Sequence, residues 1–323
     1  DNDDENNTSG RKFSLGIFFA FCIFIAISGN LLVCVAVLTE RRLKRVKNNY
    51  FIVSLAVADL LVACVVMSFA MANDIQNNWI FGSIFCRIWI SFDIMCSTAS
   101  ILNLCVISFD RYKHIQNAMY YDSWMTTRKA LTLIASVWFL SGLISFLPIH
   151  LGLHEINLAA DNETKKSEHE CTIKLNFIYA IISSTVSFYV PCLVMLILYF
   201  KLFLFARKHA LSIKSMKRPV LYSPGDNHRI NQSNSKIASD NKAAFTLGII
   251  TGVFLCCWLP FFIINPISAF NTELIQPNAF VISTWFGYIN SCLNPIIYSI
   301  FNAEFRDAFK KILSFRNCCR NIS

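Results

Sequence analysis

The sequence predicts an all-α membrane protein: a seven-transmembrane helix bundle followed by a short amphipathic helix on the membrane surface. Three observations carry that prediction. Of 323 residues, 55% are hydrophobic and only 15% charged, against about 25% charged in an ordinary soluble domain, so the chain lacks the groups to cover a water-facing surface. Seven apolar segments reach the roughly 20 residues that a helix needs to cross the hydrocarbon core. The cations fall unevenly between the loops that join these segments. Ten glycines and eight prolines are too few for a loop-rich, collagenous or disordered chain, and a disulfide-dense secreted scaffold is excluded as well. A transmembrane barrel would show stretches of about ten residues in strict alternation, which are absent.

Taken in order, residues 1–12 make a polar N-terminal segment, acidic at its start, and the lack of an initial methionine predicts a trimmed or processed terminus. The spans follow at 13–38, 50–72, 84–108, 130–152, 176–205, 243–270 and 279–301. The first is far too long for the core of a signal peptide. The loops at 40–49, 110–129 and 201–242, with the tail from 302, hold 23 Lys and Arg. The N-terminus and the loops at 73–87, 153–175 and 271–278 hold 6. Cytosolic loops carry the excess, so the N-terminus is expected outside and the tail inside. The same placement assigns the net charge of +9 to a membrane surface, not to nucleic acid. Asn6, Asn7 and Asn162 head glycosylation sequons on the outer side, whereas the sequons at Asn231 and Asn321 fall inside.

Residues 206–242 hold Ser, Asn, Lys and Pro without apolar periodicity and are expected to form a mobile third cytosolic loop. In the closing segment, 302–323, Phe305, Phe309, Ile312 and Leu313 recur at helical spacing among Arg306, Lys310 and Lys311. That pattern predicts a basic amphipathic helix on the inner leaflet, with membrane lipid as a partner. Cys318 and Cys319 at its end are either sites of reversible acylation or unmodified thiols.

Charge inside hydrocarbon is costly and marks function by default. Three acidic residues sit within or at the ends of spans: Asp59, Asp93 and Asp110. Asp93 and Arg111 are 18 residues apart, or about 27 Å along a helix, so one lies near the outer face and the other at the inner. Ser97 and Ser100 share a helical face with Asp93. These groups are either interhelical hydrogen-bond glue or a site. No facing span offers Asp93 a Lys or Arg, and a cationic ligand is the economical counterion. Ser183, Ser184 and Ser187, just above Pro191, either bond their own backbone carbonyls or meet two adjacent hydroxyls on a small ring. Pro260 predicts a kink, but Trp258, Phe261 and Phe262 clustered there, with Asn265 beyond, exceed what a kink requires. Each aromatic face around a cation contributes ~0.5–2 kcal/mol. Cys86 and Cys171 both face an oxidising compartment, which admits a disulfide. His150, His154 and His169 read as solvated, and no metal-binding spacing, nucleophile–base pattern or glycine-rich phosphate loop stands out.

These residues resemble those of the rhodopsin-like (class A) G-protein-coupled receptors over nearly the whole chain. The matching pattern is Gly29-Asn30, Leu55-Ala56-Val57-Ala58-Asp59, Asp110-Arg111-Tyr112, Trp138, Cys257-Trp258-Leu259-Pro260 and Asn294-Pro295-Ile296-Ile297-Tyr298. Any one of these is weak; all of them in order, at the family's spacing, are specific. Asp93 with Trp258, Phe261 and Phe262 narrows the resemblance to the aminergic receptors. The run from Phe92 to Cys105, the three serines, and Cys256 to Phe262 followed by Asn265 resemble the type-1-like dopamine receptors. Tyr288 departs from vertebrate members, which have Trp there, and Ala118-Met119 replaces the usual Pro-Phe of the second inner loop. Lys113-His114 is similar to invertebrate members.

The resemblance implies a plasma-membrane dopamine receptor that couples an extracellular monoamine to a heterotrimeric G protein, the stimulatory type that raises cyclic AMP. It implies that Asp93 pairs with the ligand ammonium and that Ser183, Ser184 and Ser187 bond the catechol hydroxyls. Ile94, Ser97, Trp258, Phe261, Phe262, Asn265, Trp285 and Tyr288 would line the pocket. Asp59, Ser100, Asn290, Ser291 and Asn294 resemble a site for an allosteric sodium ion, the one metal implied. Asp110, Arg111, Tyr112, Met119, Tyr199 and Tyr298 resemble the switch that opens the inner face; arrestin and a receptor kinase are further partners implied. Such a protein works by a population shift with no bond chemistry, as a receptor and not an enzyme. The rivals are an octopamine or serotonin receptor of the same family and a cationic-amine transporter. The transporter would require repeat symmetry and broken helices, neither of which is visible.

Overall fold

Backbone polar groups in hydrocarbon must find partners within their own segment, and helices are the solution adopted here. In a computed structural model of the chain, the backbone is described for residues 2–76, 78–116, 118–152, 171, 176–216 and 224–314; of these, side chains are described outside 2–9, 118–119, 122, 206, 208–244, 272 and 277. Among the described residues, six helices are long and apolar enough to cross a membrane: Gly10–Thr39, Asn49–Gln76, Gly82–Gln116, Thr127–His150, Phe177–Phe205 and Phe245–Phe270. They are spans one to six. Span seven, Pro277–Phe301, is more polar because Asn290, Ser291 and Asn294 are buried on it; it packs between spans one and six. Phe13, Phe21, Phe24, Phe139 and Phe200 point out of the bundle. The end with the cation-rich loops is called the inner end below.

The helices outrun the apolar segments. Span two extends to Gln76 and so takes in Asp74. The helix of span five continues to Met216, and that of span six begins at Pro224. Much of 206–242 is therefore helical, although its sequence lacks apolar periodicity. Extending an established helix costs far less than nucleating one.

A π-helical turn at Thr185–Tyr189 widens span five directly before Pro191. Proline has no N–H and its ring presses on the carbonyl four residues back, here that of Ser187, so the extra residue of a π turn relieves the clash. A second wide turn, Val62–Met67, lies in span two. There Ser68 Oγ donates to the carbonyl of Ala63, five residues back, at 3.1 Å.

Small residues and buried amides hold the spans together, as expected where hydrophobicity alone does not drive helix association. Asn30 Nδ2 donates at 2.9 Å to the carbonyls of Ala26 and of Ser291 on span seven. Trp138 Nε1 donates to Ser54 Oγ at 3.0 Å, tying span four to span two. The predicted amphipathic helix is Ala303–Leu313. Asn302 caps it by accepting from the N–H groups of Glu304 and Phe305 at 3.1 and 3.4 Å. Phe305 and Phe309 are buried under it, and Lys311 reaches Glu40 of the first inner loop at 2.7 Å.

Spans one and seven meet closely at Gly29, where an added Cβ would lie 2.9 Å from the ring of Pro295. A proline ring cannot swing aside. Gly29→Ala is expected to destabilise the bundle by about 1–3 kcal/mol, the usual range for overpacking. Gly142→Ala, in span four with nothing within 4 Å, should be neutral or stabilising. Melting midpoints of the purified variants check this, and equal midpoints would remove Gly29 as a packing constraint.

Candidate ligand-binding site and inner-face switch

The outer half of the bundle brings several of the expected residues together around Asp93. Its Oδ2 accepts from the Tyr288 hydroxyl of span seven at 2.7 Å, and its Oδ1 from Ser97 Oγ, one turn along span three, at 3.4 Å. Among the described residues no basic side chain pairs with it. Tyr288 is buried and stands edge-on to Trp258 and Trp285, with ring centroids 6.4 and 5.7 Å away. Trp258 meets Phe261 at 6.0 Å and Phe262 at 5.9 Å, which makes an aromatic wall on span six. Trp258 reaches span seven because position 287 is glycine; a Cβ there would sit 2.8 Å from the indole. Ile94, beside Asp93, is half-buried.

The wide turn of span five sets its three serines differently. Ser184 is buried and accepts from Asn265 Nδ2 of span six at 3.4 Å. Ser183 Oγ donates to the carbonyl of Ala180 at 3.2 Å, and Ser187 Oγ donates to the carbonyl of Ser183. Ser183 and Ser187 thus take the self-bonded option left open by the sequence, and Ser184 takes an interhelical partner that the sequence did not suggest.

Deeper in the bundle, fully buried Asp59 accepts from Ser291 Oγ at 2.9 Å and from Asn294 Nδ2 at 2.8 Å. Ser100 lies beside the same carboxylate, yet its Oγ has no partner of hydrogen-bond geometry. The side-chain oxygen of Asn290, next to Ser291, is likewise buried and unpartnered. Buried polar atoms are nearly always satisfied, so an orphaned hydroxyl beside a buried carboxylate fits a small cation with oxygen ligands.

At the inner end Arg111 is held by its neighbour. Its Nη2 and Nε lie 2.8 and 3.2 Å from Asp110 Oδ2. The other carboxylate oxygen accepts from the Tyr121 hydroxyl at 2.5 Å. Tyr121 sits on the inner-loop helix Ala118–Trp124, and burial together with the Asp110 charge pushes its phenol above the ordinary range. Tyr298 stacks on Phe305 with centroids 5.4 Å apart. Tyr199 rests on span six at Gly248, where a Cβ would lie 2.2 Å from its hydroxyl. Tyr112 is half-buried beside Arg111. The side chains of Met119, Asn6, Asn7, Asn162, Cys318 and Cys319 lie outside the described residues.

Sequence reasoning missed two participants. Asp74 accepts from Trp285 Nε1 at 2.7 Å, at the edge of the indole on whose face the Phe19 ring stacks at 3.6 Å. It escaped notice because hydropathy ends span two too early; only the unspent reach of the helix pointed to it. Tyr121 carries no sequence signal, since its partner is eleven residues back across a turn.

The sequence pattern of the family described as "7 transmembrane receptor (rhodopsin family)" matches residues 29–298. The chain is 48% identical to dopamine receptor 1 of Drosophila melanogaster over 94% of its own length, and spans 63% of the length of that relative. It is 43% identical to 5-hydroxytryptamine receptor 1 of Aplysia californica, covering 94% of this chain and 73% of the relative. It is 41% identical to the D(1) dopamine receptor of Carassius auratus, covering 98% and 92%.

Over the outer end of the pocket, Cys86 at the start of span three is bonded to Cys171, closing a separation of 85 residues. Cys86→Ala and Cys171→Ala are each expected to lower stability by about 2–4 kcal/mol. The double variant should be no worse than either one, because the second change removes nothing further. Additive losses in thermal denaturation would mean that the two are not partners.

Proposed function

The chain belongs to the rhodopsin family of seven-transmembrane receptors, and on that premise we propose that it is a plasma-membrane dopamine receptor, with its N-terminus outside, acting through a stimulatory G protein. The carrying observation is Asp93: a carboxylate with no basic partner among the described residues, framed by Tyr288, Trp258 and Phe261. A ligand ammonium supplies the missing charge. The Tyr288 hydroxyl, already bonded to Oδ2, keeps the carboxylate aimed into the pocket. At the far side, Ser183 and Ser187 exchange carbonyl partners on their own helix for the ring hydroxyls, and Ser184 stays with Asn265. Such exchanges are nearly even in energy, so the hydroxyls select a catechol at little conformational cost.

Binding then acts through populations. The Asp110–Arg111 pair, the Tyr298–Phe305 stack and the seat of Tyr199 on span six describe a closed inner end. An agonist that prefers the open arrangement raises its share, and a G protein that binds the same arrangement does so reciprocally. Arrestin and a receptor kinase would dock at this end too. Sequons at Asn6, Asn7 and Asn162 and acylation at Cys318 and Cys319 complete the proposal. A serotonin receptor is the second reading, favoured by the Aplysia relative.

Cyclic AMP in cells expressing the chain, measured against dopamine, octopamine, serotonin and phenethylamine, tests the reading. Dopamine should be the most potent; a chain answering serotonin best would give the second reading its place. Asp93→Asn should raise the half-maximal dopamine concentration roughly 10- to 150-fold, the equivalent of a charge-assisted hydrogen bond, with surface expression unchanged. Near-normal potency would sink the role of Asp93.

Sodium is proposed at Asp59, Ser100, Asn290, Ser291 and Asn294, where it would supply positive charge to the buried carboxylate. Replacing sodium by choline at constant ionic strength should lower the melting midpoint by linkage, and Ser100→Ala should shrink that difference. Equal midpoints of the native chain in the two salts would remove the ion.

A further inference from the structure

Span six carries two prolines, Pro260 and Pro266, inside one helix. Each leaves the carbonyl four residues back without its helical N–H. For Pro266 that carbonyl belongs to Phe262, whose ring forms part of the pocket wall. Here the missing donor comes from another helix: the Tyr189 hydroxyl of span five donates to the Phe262 carbonyl at 2.6 Å. Tyr189 ends the π turn that also holds Ser187. Its neighbour Phe188 stacks on the Phe262 ring with centroids 4.1 Å apart and planes within 11°. Phe262 is therefore gripped by span five at backbone and ring together, two residues from a serine proposed to meet the ligand.

We propose that Tyr189 is a positioning residue: by substituting for the N–H that Pro266 lacks, its hydroxyl fastens the serine-bearing turn of span five to the aromatic wall of span six, so that a ligand pulling on the serines moves span six. The inference rests on the proposed reading of Ser183 and Ser187 as hydroxyl partners of the amine. Hydrogen bonds of this kind are strongest where no water competes, and Tyr189 lies on the outer surface of the bundle, where the freed carbonyl would otherwise meet lipid.

The test is a cycle between Tyr189→Phe and Pro266→Ala, with Pro266→Leu as a second route to the same restored N–H. In the native background, Tyr189→Phe should raise the half-maximal dopamine concentration for cyclic AMP by roughly five- to tenfold, the equivalent of one net hydrogen bond. Phenethylamine, which has no ring hydroxyls to pull with, should shift by less than twofold. In either Pro266 background, adding Tyr189→Phe should change neither amine, because the helix then supplies its own donor. An equal loss in both backgrounds, an equal loss for both amines, or no loss for dopamine in the native background would each overturn the proposal. Melting midpoints of the purified variants judge the hydrogen bond apart from the ligand. Tyr189→Phe should lower the midpoint with Pro266 present and not in its absence. Should the chain answer neither amine, the dopamine reading fails while this comparison still stands, and equal drops in both backgrounds would overturn the hydrogen bond as well.

Discussion

Three carboxylates set along one bundle, two fully buried and Asp93 partly so, impose the constraint on which the rest depends. A carboxylate kept from water must be met by donors or cations, and the three recruit them from span three, span seven and the inner loop. Asp93 draws Ser97 from its own span and Tyr288 from span seven. Asp59 draws Ser291 and Asn294 from span seven. Asp110 draws Arg111 beside it and Tyr121 from the inner loop. Span seven is the least apolar of the spans for this reason: it supplies donors at two depths and is paid back by packing on spans one and six. The partners of Asp93 and Asp59 are neutral, whereas Asp110 already has its cation.

The inner end combines three contacts of different physical kinds. Asp110 and Arg111 are joined by charge, Tyr298 and Phe305 by ring stacking, and Tyr199 and Gly248 by shape alone. The Lys311–Glu40 pair is of another sort. It is partly exposed, where ion pairs contribute little, so it orients the amphipathic helix Ala303–Leu313 more than it stabilises the bundle.

The spans, their number and the amphipathic helix were legible because hydropathy and length are local properties. So was the division of labour on span three, since helical rise alone separates Asp93 from Arg111. Legibility failed where the partner is distant or backbone geometry changes. Asp74 lies past the apolar stretch that defines span two, and its indole partner is 211 residues away. Tyr189 reads as one more aromatic residue until Pro266 on another helix is set against it. The serines left two options open in sequence; Ser183 and Ser187 bond their own helix, and Ser184 bonds Asn265, a partner 81 residues away. The helical extensions into 206–242 carry no hydrophobic signal, because their continuation comes from the helices they prolong.

The π turn in span five has a consequence for how that helix can be read and altered. Each residue of an α-helix turns the chain by about 100°, so a one-residue insertion dephases everything beyond it by that amount. The outer half of span five, which faces the pocket, and the inner half, which carries Tyr199, therefore follow separate angular registers. A single periodicity fitted across the whole span misassigns the faces of one half. Evolution can likewise retune which side chains enter the pocket without rotating the surface offered at the other end.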